Sequence, residues 1–355
     1  MENFNFHSSF QLNGHSFSSV SEILSYAKHL QPNTHTFLEQ WFDTNDYVEV
    51  QTSGSTGVPK KIRLQKEHMK NSAKATGSFF ELVEGTKALL CLSTDYIAGK
   101  MMLVRALTLG WHLDIVEPVS NPLEGIDAVY DFCAMVPMQL ANSLNDLTKV
   151  KTLIVGGGAV STTLQEKIKN ISTSVYATYG MTETITHIAL KKLNNFDVIE
   201  NYMVLPHVKI SVDSRGCLVI DAPKVSNEKI ITNDVVKIIS ETEFEWLGRY
   251  DHIVNSGGVK LIPEQIEQKL SEIINERFFV IGIPDVVLGE KLILVIERNV
   301  TSSAVEKSAI LNEVKNLKTL TKYEVPKEIY FLPKFVETET KKIQRRKTLD
   351  LVFKN

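Results

Sequence analysis

The chain has 355 residues, which suits two domains better than one small core. Hydrophobic residues at 43% and charged residues at 23% are ordinary for a globular protein, and the net charge of −3 gives no basic footprint for nucleic acid or anionic membrane. No apolar run is long enough to span a bilayer, and residues 1–20 carry neither a basic leader nor an apolar signal core, so a cytoplasmic protein is expected. Cys91, Cys133 and Cys217 lack any C-x-x-C spacing and read as small buried hydrophobes of a reduced compartment.

Taken in chain order, a short alternating run, Tyr47-Val48-Glu49-Val50, leads into Gln51-Thr52-Ser53-Gly54-Ser55-Thr56-Gly57-Val58-Pro59-Lys60. Glycines let a backbone curl around an anion, hydroxyls add donors, and Lys60 adds a positive charge. Alone, this composition also fits a flexible turn. It is not a Walker A loop: Pro59 stands where the second glycine belongs, and Lys61 follows the lysine in place of Ser or Thr.

Strands are expected at 88–92, 113–116, 128–136, 152–155 and 175–179, with helices at 101–109 and 162–171, the latter capped by Ser161. This alternation predicts a mostly parallel sheet covered on both faces. Around Val208 the apolar period changes to two. Runs 208–212 and 217–221 flank the turn Asp213-Ser214-Arg215-Gly216, and further strands at 230–231, 235–239 and 244–246 predict a small β-rich subdomain. Beyond Gly248, Pro263 opens a helix with Ile266, Leu270, Ile273 and Ile274 on one face. Strands at 278–283, 292–296 and 328–332 and a helix at 304–317 complete an α+β unit. The expected domains are 1–247 and 248–355. The run Lys341-Lys342-Ile343-Gln344-Arg345-Arg346-Lys347, taken alone, reads as a solvated tail or weak anion patch.

The order of short motifs is more specific than any one of them. The loop at 51–60 is followed by Tyr179-Gly180-Met181-Thr182-Glu183, then Asp234, then Gly248-Arg249-Tyr250-Asp251, then Lys342-Ile343-Gln344-Arg345. In this order the chain resembles the adenylate-forming superfamily of acyl-CoA synthetases, luciferases and peptide-synthetase adenylation domains. Within it, the chain looks most like the short o-succinylbenzoate–CoA ligases of menaquinone synthesis.

The resemblance implies ATP-dependent activation of a carboxylic acid as an acyl-adenylate, then transfer to coenzyme A, by a large α/β domain and a small mobile C-terminal domain. It implies that Thr52, Ser53, Gly54, Ser55, Thr56, Gly57 and Lys60 hold the β- and γ-phosphates. Thr182 is implied to donate to the α-phosphate and Glu183 to hold Mg²⁺. Tyr179, Gly180 and Met181, with the turn Gly156-Gly157-Gly158-Ala159, are implied to border the adenine. Asp234 and Arg249 are implied to meet the ribose, and Lys342 to serve as the adenylation lysine, with Lys341 as the alternative. Asp251 falls at the domain hinge, and Gly257 and Gly258 of Ser256-Gly257-Gly258-Val259-Lys260 fall on the CoA-side face. For the acyl pocket, Arg105 is the candidate cation and His187 a candidate lining residue; a solvated helix arginine and a core histidine are the plainer alternatives.

Three positions depart from the pattern. The phosphate loop begins at residue 52, implying a shortened first domain and leaving the oligomeric state, a homodimer included, open. Tyr96 replaces a histidine, and Lys341 replaces a glycine. Other CoA ligases, for an aryl or fatty acid, and adenylation modules serving a carrier protein remain alternatives.

Overall fold

The computed structural model describes residues 6–51, 61–195, 201–299, 304–338 and 342–353. A short finger, β1 (Gln11–Leu12) and β2 (His15–Ser16), precedes helices α1 (Val20–Ala27) and α2 (Pro32–Phe42). Ser19 caps α1 by accepting from the Glu22 N–H, and Pro32 begins α2, where its missing N–H leaves no bond unmade. Next, β3 (Tyr47–Gln51) and β4 (Lys61–Gln65) pair antiparallel, with Gln51 opposite Lys61. The phosphate-loop candidates Thr52, Ser53, Gly54, Ser55, Thr56, Gly57 and Lys60 connect these two strands and lie outside the described residues.

The expected strand–helix alternation follows: α3 (Lys66–Phe79), β5 (Lys87–Leu90), α4 (Ile97–Leu109), β6 (His112–Ile115), β7 (Tyr130–Met135), α5 (Pro137–Asn142), β8 (Val150–Val155), α6 (Thr162–Ile168) and β9 (Ser174–Gly180). The pairs β6–β5, β5–β7, β7–β8 and β8–β9 are all parallel. Both faces are covered: Ala88 and Leu90 enter one core while Leu89 enters another, and Phe132 and Cys133 divide the same way. Ser161 caps α6 through the Leu164 N–H, but the helix stops at Ile168, short of the expected 171. α4 begins four residues earlier than expected because Tyr96, extended, already serves as its N-cap.

From β9 the sheet continues in antiparallel fashion. It runs through β10 (His187–Lys192), β11 (Tyr202–Val204), β12 (Lys209–Val212), β13 (Cys217–Asp221), β14 (Ile230–Ser240) and β15 (Glu243–Arg249). The order β9-β10-β11-β15-β14-β13-β12 hydrogen-bonds the β-rich segment into the large sheet, thirteen strands among the described residues, rather than setting it apart. At the β12–β13 turn, Asp213 Oδ1 accepts from the Arg215 and Cys217 N–H groups, and Gly216 takes φ 78°.

The last ladder of the large sheet reaches Arg249; a second sheet begins at Val254. Here β16 (Val254–Ser256) and β17 (Val259–Leu261) lead into α7 (Pro263–Leu270), β18 (Phe278–Asp285), β19 (Gly289–Glu297), α8 (Ala304–Asn316), β20 (Glu328–Leu332) and α9 (Arg345–Val352). β19 is the centre, antiparallel to β16 and β18 and parallel to β20. Ile266, Leu270 and Ile274 are buried as their spacing predicts, although α7 ends at Leu270 and Ile274 lies in the turn beyond.

The charged run at the C-terminal end is not a solvated tail. Arg345 Nη1 and Nη2 donate to Glu267 Oε1 and Oε2 at 2.7 and 2.8 Å, and Nη1 reaches the Val280 carbonyl at 3.2 Å. Thr348 and Leu349 are buried one turn on. Burial pushes the Glu267 carboxyl up to about 7, while Arg345 and the Val280 N–H pull the other way. Removing the cation leaves a buried carboxyl with one backbone donor. Arg345→Ala should therefore lower stability by about 3 kcal/mol, as for breaking one side of a buried pair. Urea unfolding followed by far-UV circular dichroism measures it; a change below about 0.5 kcal/mol, the range of ordinary surface substitutions, contradicts the clamp.

Candidate active site

The C-terminal end of β9 carries Tyr179 and Gly180, where ligands of parallel sheets bind. Glycine is required at 180: a Cβ there would lie 2.1 Å from the Thr186 carbonyl oxygen. Met181 then leads into a short 3-10 turn, Thr182–Thr184, which exposes Glu183 and buries Thr184. Ile185 adopts φ 67° and ψ −66°, and Thr186 N donates to Thr184 O at 2.8 Å, a γ-turn of the strained, positive-φ type. A buried β-branched residue in that conformation is a local cost, and it delivers Thr186 and His187 to the core side of the sheet end.

Two constellations flank this strand end. In the first, Asp234 on β14 is 7% exposed, and protein donors reach both its oxygens. Tyr179 Oη donates to Oδ2 at 2.8 Å, Trp246 Nε1 to Oδ1 at 3.2 Å, and Arg249 Nη1 stands 3.6 Å from Oδ1. Burial and the neighbouring carboxylate hold the Tyr179 phenol far above its usual range, so it stays a donor. Oδ2 accepts only from Tyr179 among the described residues, which leaves it a lone pair for another hydroxyl. Tyr179 packs edge-on against Phe244 at 5.1 Å, so the ring is fixed at both ends. The Gly156-Gly157-Gly158-Ala159 turn approaches β9 at Thr178: a Cβ on Gly156 would lie 2.5 Å from Thr178 Oγ1, and Gly157 needs φ 81°.

Arg249 also forks onto Asp251, with Nε to Oδ1 at 3.0 Å and Nη2 to Oδ2 at 3.3 Å. Lys342 faces the same arginine. Its side chain is exposed to solvent at the surface, yet crowding by the surrounding protein and the Arg249 charge both lower its pKa. The Lys342 backbone is pinned: its N–H donates to Thr338 Oγ1 at 3.1 Å, and its carbonyl accepts from the Thr338 N–H at 2.9 Å. Lys341, the alternative, lies outside the described residues. Thus direct contacts join Tyr179, Asp234, Arg249 and Asp251, and the Arg249 charge acts on Lys342. Gly257 and Gly258 stand apart from them, as the two-residue turn of the β16–β17 hairpin, with φ 59° and 81°.

The second constellation surrounds Arg105. It is not a solvated helix arginine: it is 2% exposed, and no ion pair holds it among the described residues. Its contacts are long and neutral, Nε to Thr76 Oγ1 and Nη2 to Thr186 Oγ1 at 3.4 Å, and Nη1 to Met102 Sδ at 3.6 Å. Burial lowers its pKa to about 10, which still leaves it charged at neutral pH. His187 shares the Thr76 hydroxyl at 3.4 Å, and burial plus the Arg105 charge hold it well below its usual pKa, neutral at pH 7. Ser72 reaches Thr186 at 3.2 Å, and with His187 it lines a recess of about 190 Å³ beside α3. Among the described residues, Glu183 has no hydrogen bond or ion pair, leaving its oxygens available to a hard cation such as Mg²⁺.

Residues 26–223, more than half of the chain, match the AMP-binding enzyme family. The chain belongs to that family. It is accordingly an AMP-forming acid–thiol ligase in class. A crystal structure of an acyl-CoA synthetase (AMP-forming)/AMP-acid ligase II-like protein from Dyadobacter fermentans is 40% identical, covers 91% of this chain and 95% of its own, and has a TM-score of 0.61. The 2-succinylbenzoate–CoA ligase of Listeria monocytogenes is 26% identical across 87% of this chain and 71% of its own length. An o-succinylbenzoate coenzyme A synthetase from Bacillus subtilis, solved with ATP and a magnesium ion, has the same fold with a TM-score of 0.73. It is 18% identical and covers 94% of this chain and 82% of its own.

Sequence reasoning missed Trp246, Thr76, Thr186 and Ile185. Trp246 carried no motif, and its only signal was a place three residues before Arg249. If Asp234 is the ribose acceptor, Tyr179→Phe and Trp246→Phe, which each remove one charge-assisted donor, should weaken ATP binding roughly tenfold while leaving the fold intact. Calorimetric titration with ATP reads this directly; unchanged affinity in both variants contradicts it.

Proposed function

We propose that the chain activates an aromatic dicarboxylic acid of the o-succinylbenzoate type as an acyl-adenylate and passes the acyl group to coenzyme A, a step of menaquinone synthesis. The observation that carries this reading is Arg105, a fully buried guanidinium whose contacts among the described residues are two hydroxyls and a thioether. Burying a charge without a partner costs several kcal/mol, and a ligand carboxylate entering beside it removes that cost. A monocarboxylic acid offers no second anion for it. The curated relatives bearing the 2-succinylbenzoate name support the same choice.

In this mechanism Asp234, held by Tyr179 and Trp246, accepts the ribose hydroxyls, and Thr182 donates to the α-phosphate. Thr52, Ser53, Gly54, Ser55, Thr56, Gly57 and Lys60 take the departing pyrophosphate. Glu183 would hold Mg²⁺, which would offset phosphate charge when bound. The acid's reacting carboxylate and the α-phosphate are both anionic, so their approach needs a cation at the meeting point. Lys342 supplies it from the C-terminal domain, residues 248–355 in this reading, where crowding by the protein and the Arg249 charge lower its pKa. Rotation about Asp251 would then bring Gly257 and Gly258, whose turn carries no side chains, to the path of the pantetheine arm.

Two outcomes follow. Lys342→Ala should slow acyl-adenylate formation by about a hundredfold or more, measured as pyrophosphate release, while thioester formation from pre-made acyl-adenylate survives. Equal loss in both steps removes the assigned role. Arg105→Ala should raise the KM for o-succinylbenzoate by roughly a hundredfold, as for an unpaired buried charge, with the KM for ATP nearly unchanged. Benzoate, with one carboxylate, should lose far less, and equal effects on the two acids take Arg105 out of the pocket.

A further inference from the structure

The carboxylate of Glu264, on the first turn of α7, sits across the segment assigned as the hinge. Oε2 accepts from the Arg249 N–H at 3.4 Å, and Oε1 meets His252 Nδ1 at 2.5 Å, so one side chain grips the backbone before Asp251 and the ring after it. The same Oε1 lies 3.6 Å from Arg345 Nη2, and Arg345 follows Lys342 by three residues. Gly248 makes the approach possible: a Cβ at that position would lie 2.5 Å from Glu264 Oε2. Glu264 is only 10% exposed at its side chain, and its pKa is lowered although burial alone would raise it, because His252 and Arg345 favour the ionised form.

We propose that Glu264 is a positioning residue for the adenylation half-reaction: it latches the small unit in the orientation that presents Lys342 to Arg249 and Asp234. This rests on the assignment of Lys342 given above. Arg249 belongs to the last strand of the large sheet, and Glu264 belongs to the first helix of the small unit. Any rotation about Asp251 must therefore break the contact to the Arg249 N–H, while the contact to Arg345 travels with the small unit. The latch thus stabilises one orientation and not the other, which is what differential binding of two states requires. Gln at 264 keeps one carbonyl oxygen, enough to accept from Arg249 or from His252 but not at both positions, and loses the charge toward Arg345.

The test compares the wild-type chain with Glu264→Ala, Glu264→Gln and Lys342→Ala, using the acid that the wild-type chain turns over fastest in a pyrophosphate-release screen. Glu264→Ala should lower the kcat of adenylation about tenfold, the effect of losing a charged hydrogen bond, with the KM for ATP within about twofold. Thioester formation from added acyl-adenylate should stay level or rise, and Glu264→Gln should fall between. Nitroxide labels at the exposed positions Lys237 and Lys318 give a readout that needs no substrate. Their distance distribution, narrow in the wild-type background, should broaden or shift in Glu264→Ala. Equal loss in both half-reactions, or an unchanged distance distribution, overturns the latch. A Lys342→Ala variant that loses both half-reactions alike instead overturns the reading beneath it.

Discussion

The carboxylate of Asp234 ties the molecule together. It stands on β14, in the antiparallel half of the large sheet, and takes a hydrogen bond from Tyr179, the end of the parallel half. Trp246 and Arg249 reach it from β15, and Arg249 turns at once to Asp251. One buried anion therefore aligns two halves of a sheet and the start of the second unit. Burial of an anion is tolerated only with such donors, and here several of them share the task.

Arg105 states the opposite problem. It too is buried, but the groups around it are hydroxyls, a thioether and a neutral imidazole. His187 cannot serve as its counter-ion, and protonating it would place a second cation beside the first. The strained γ-turn at Ile185 adds to the local cost, since it aims Thr186 at the guanidinium. Under the proposed function, this uncompensated cation and backbone strain at one strand end would favour an anionic ligand.

Much of this was legible in the sequence, for identifiable reasons. The parallel half announced itself through apolar runs such as 152–155 separated by helical periods, and the turn at 213–216 through its Asp and Gly. Pro263 and the spacing of Ile266 and Leu270 marked α7. Asp234, Arg249 and Lys342 stood out by motif order, and the structure pairs Asp234 with Arg249. The burial of Arg105 was not legible, because α4 is apolar nearly all round and gives no face from which to infer which side meets solvent. α9 was hidden by the density of charge in 341–347: a sequence pattern cannot show that Arg345 has Glu267 as a buried partner 78 residues away. The joining of the β-rich segment to the large sheet depends on the pairing of β11 with β15, a contact across some forty residues that periodicity does not encode.

The most direct measurement of the account is the binding of two stable acyl-adenylate mimics, the N-acylsulfamoyl adenosines of o-succinylbenzoate and of benzoate, by titration calorimetry. Both carry the adenosine that Asp234 would hold, and only the first carries a second carboxylate for Arg105. The account predicts that the o-succinylbenzoyl compound binds at least about a hundredfold more tightly, roughly 2.7 kcal/mol, the scale of a desolvated charge pair. Equal affinities would contradict it, because the buried guanidinium would then have gained nothing from the second carboxylate.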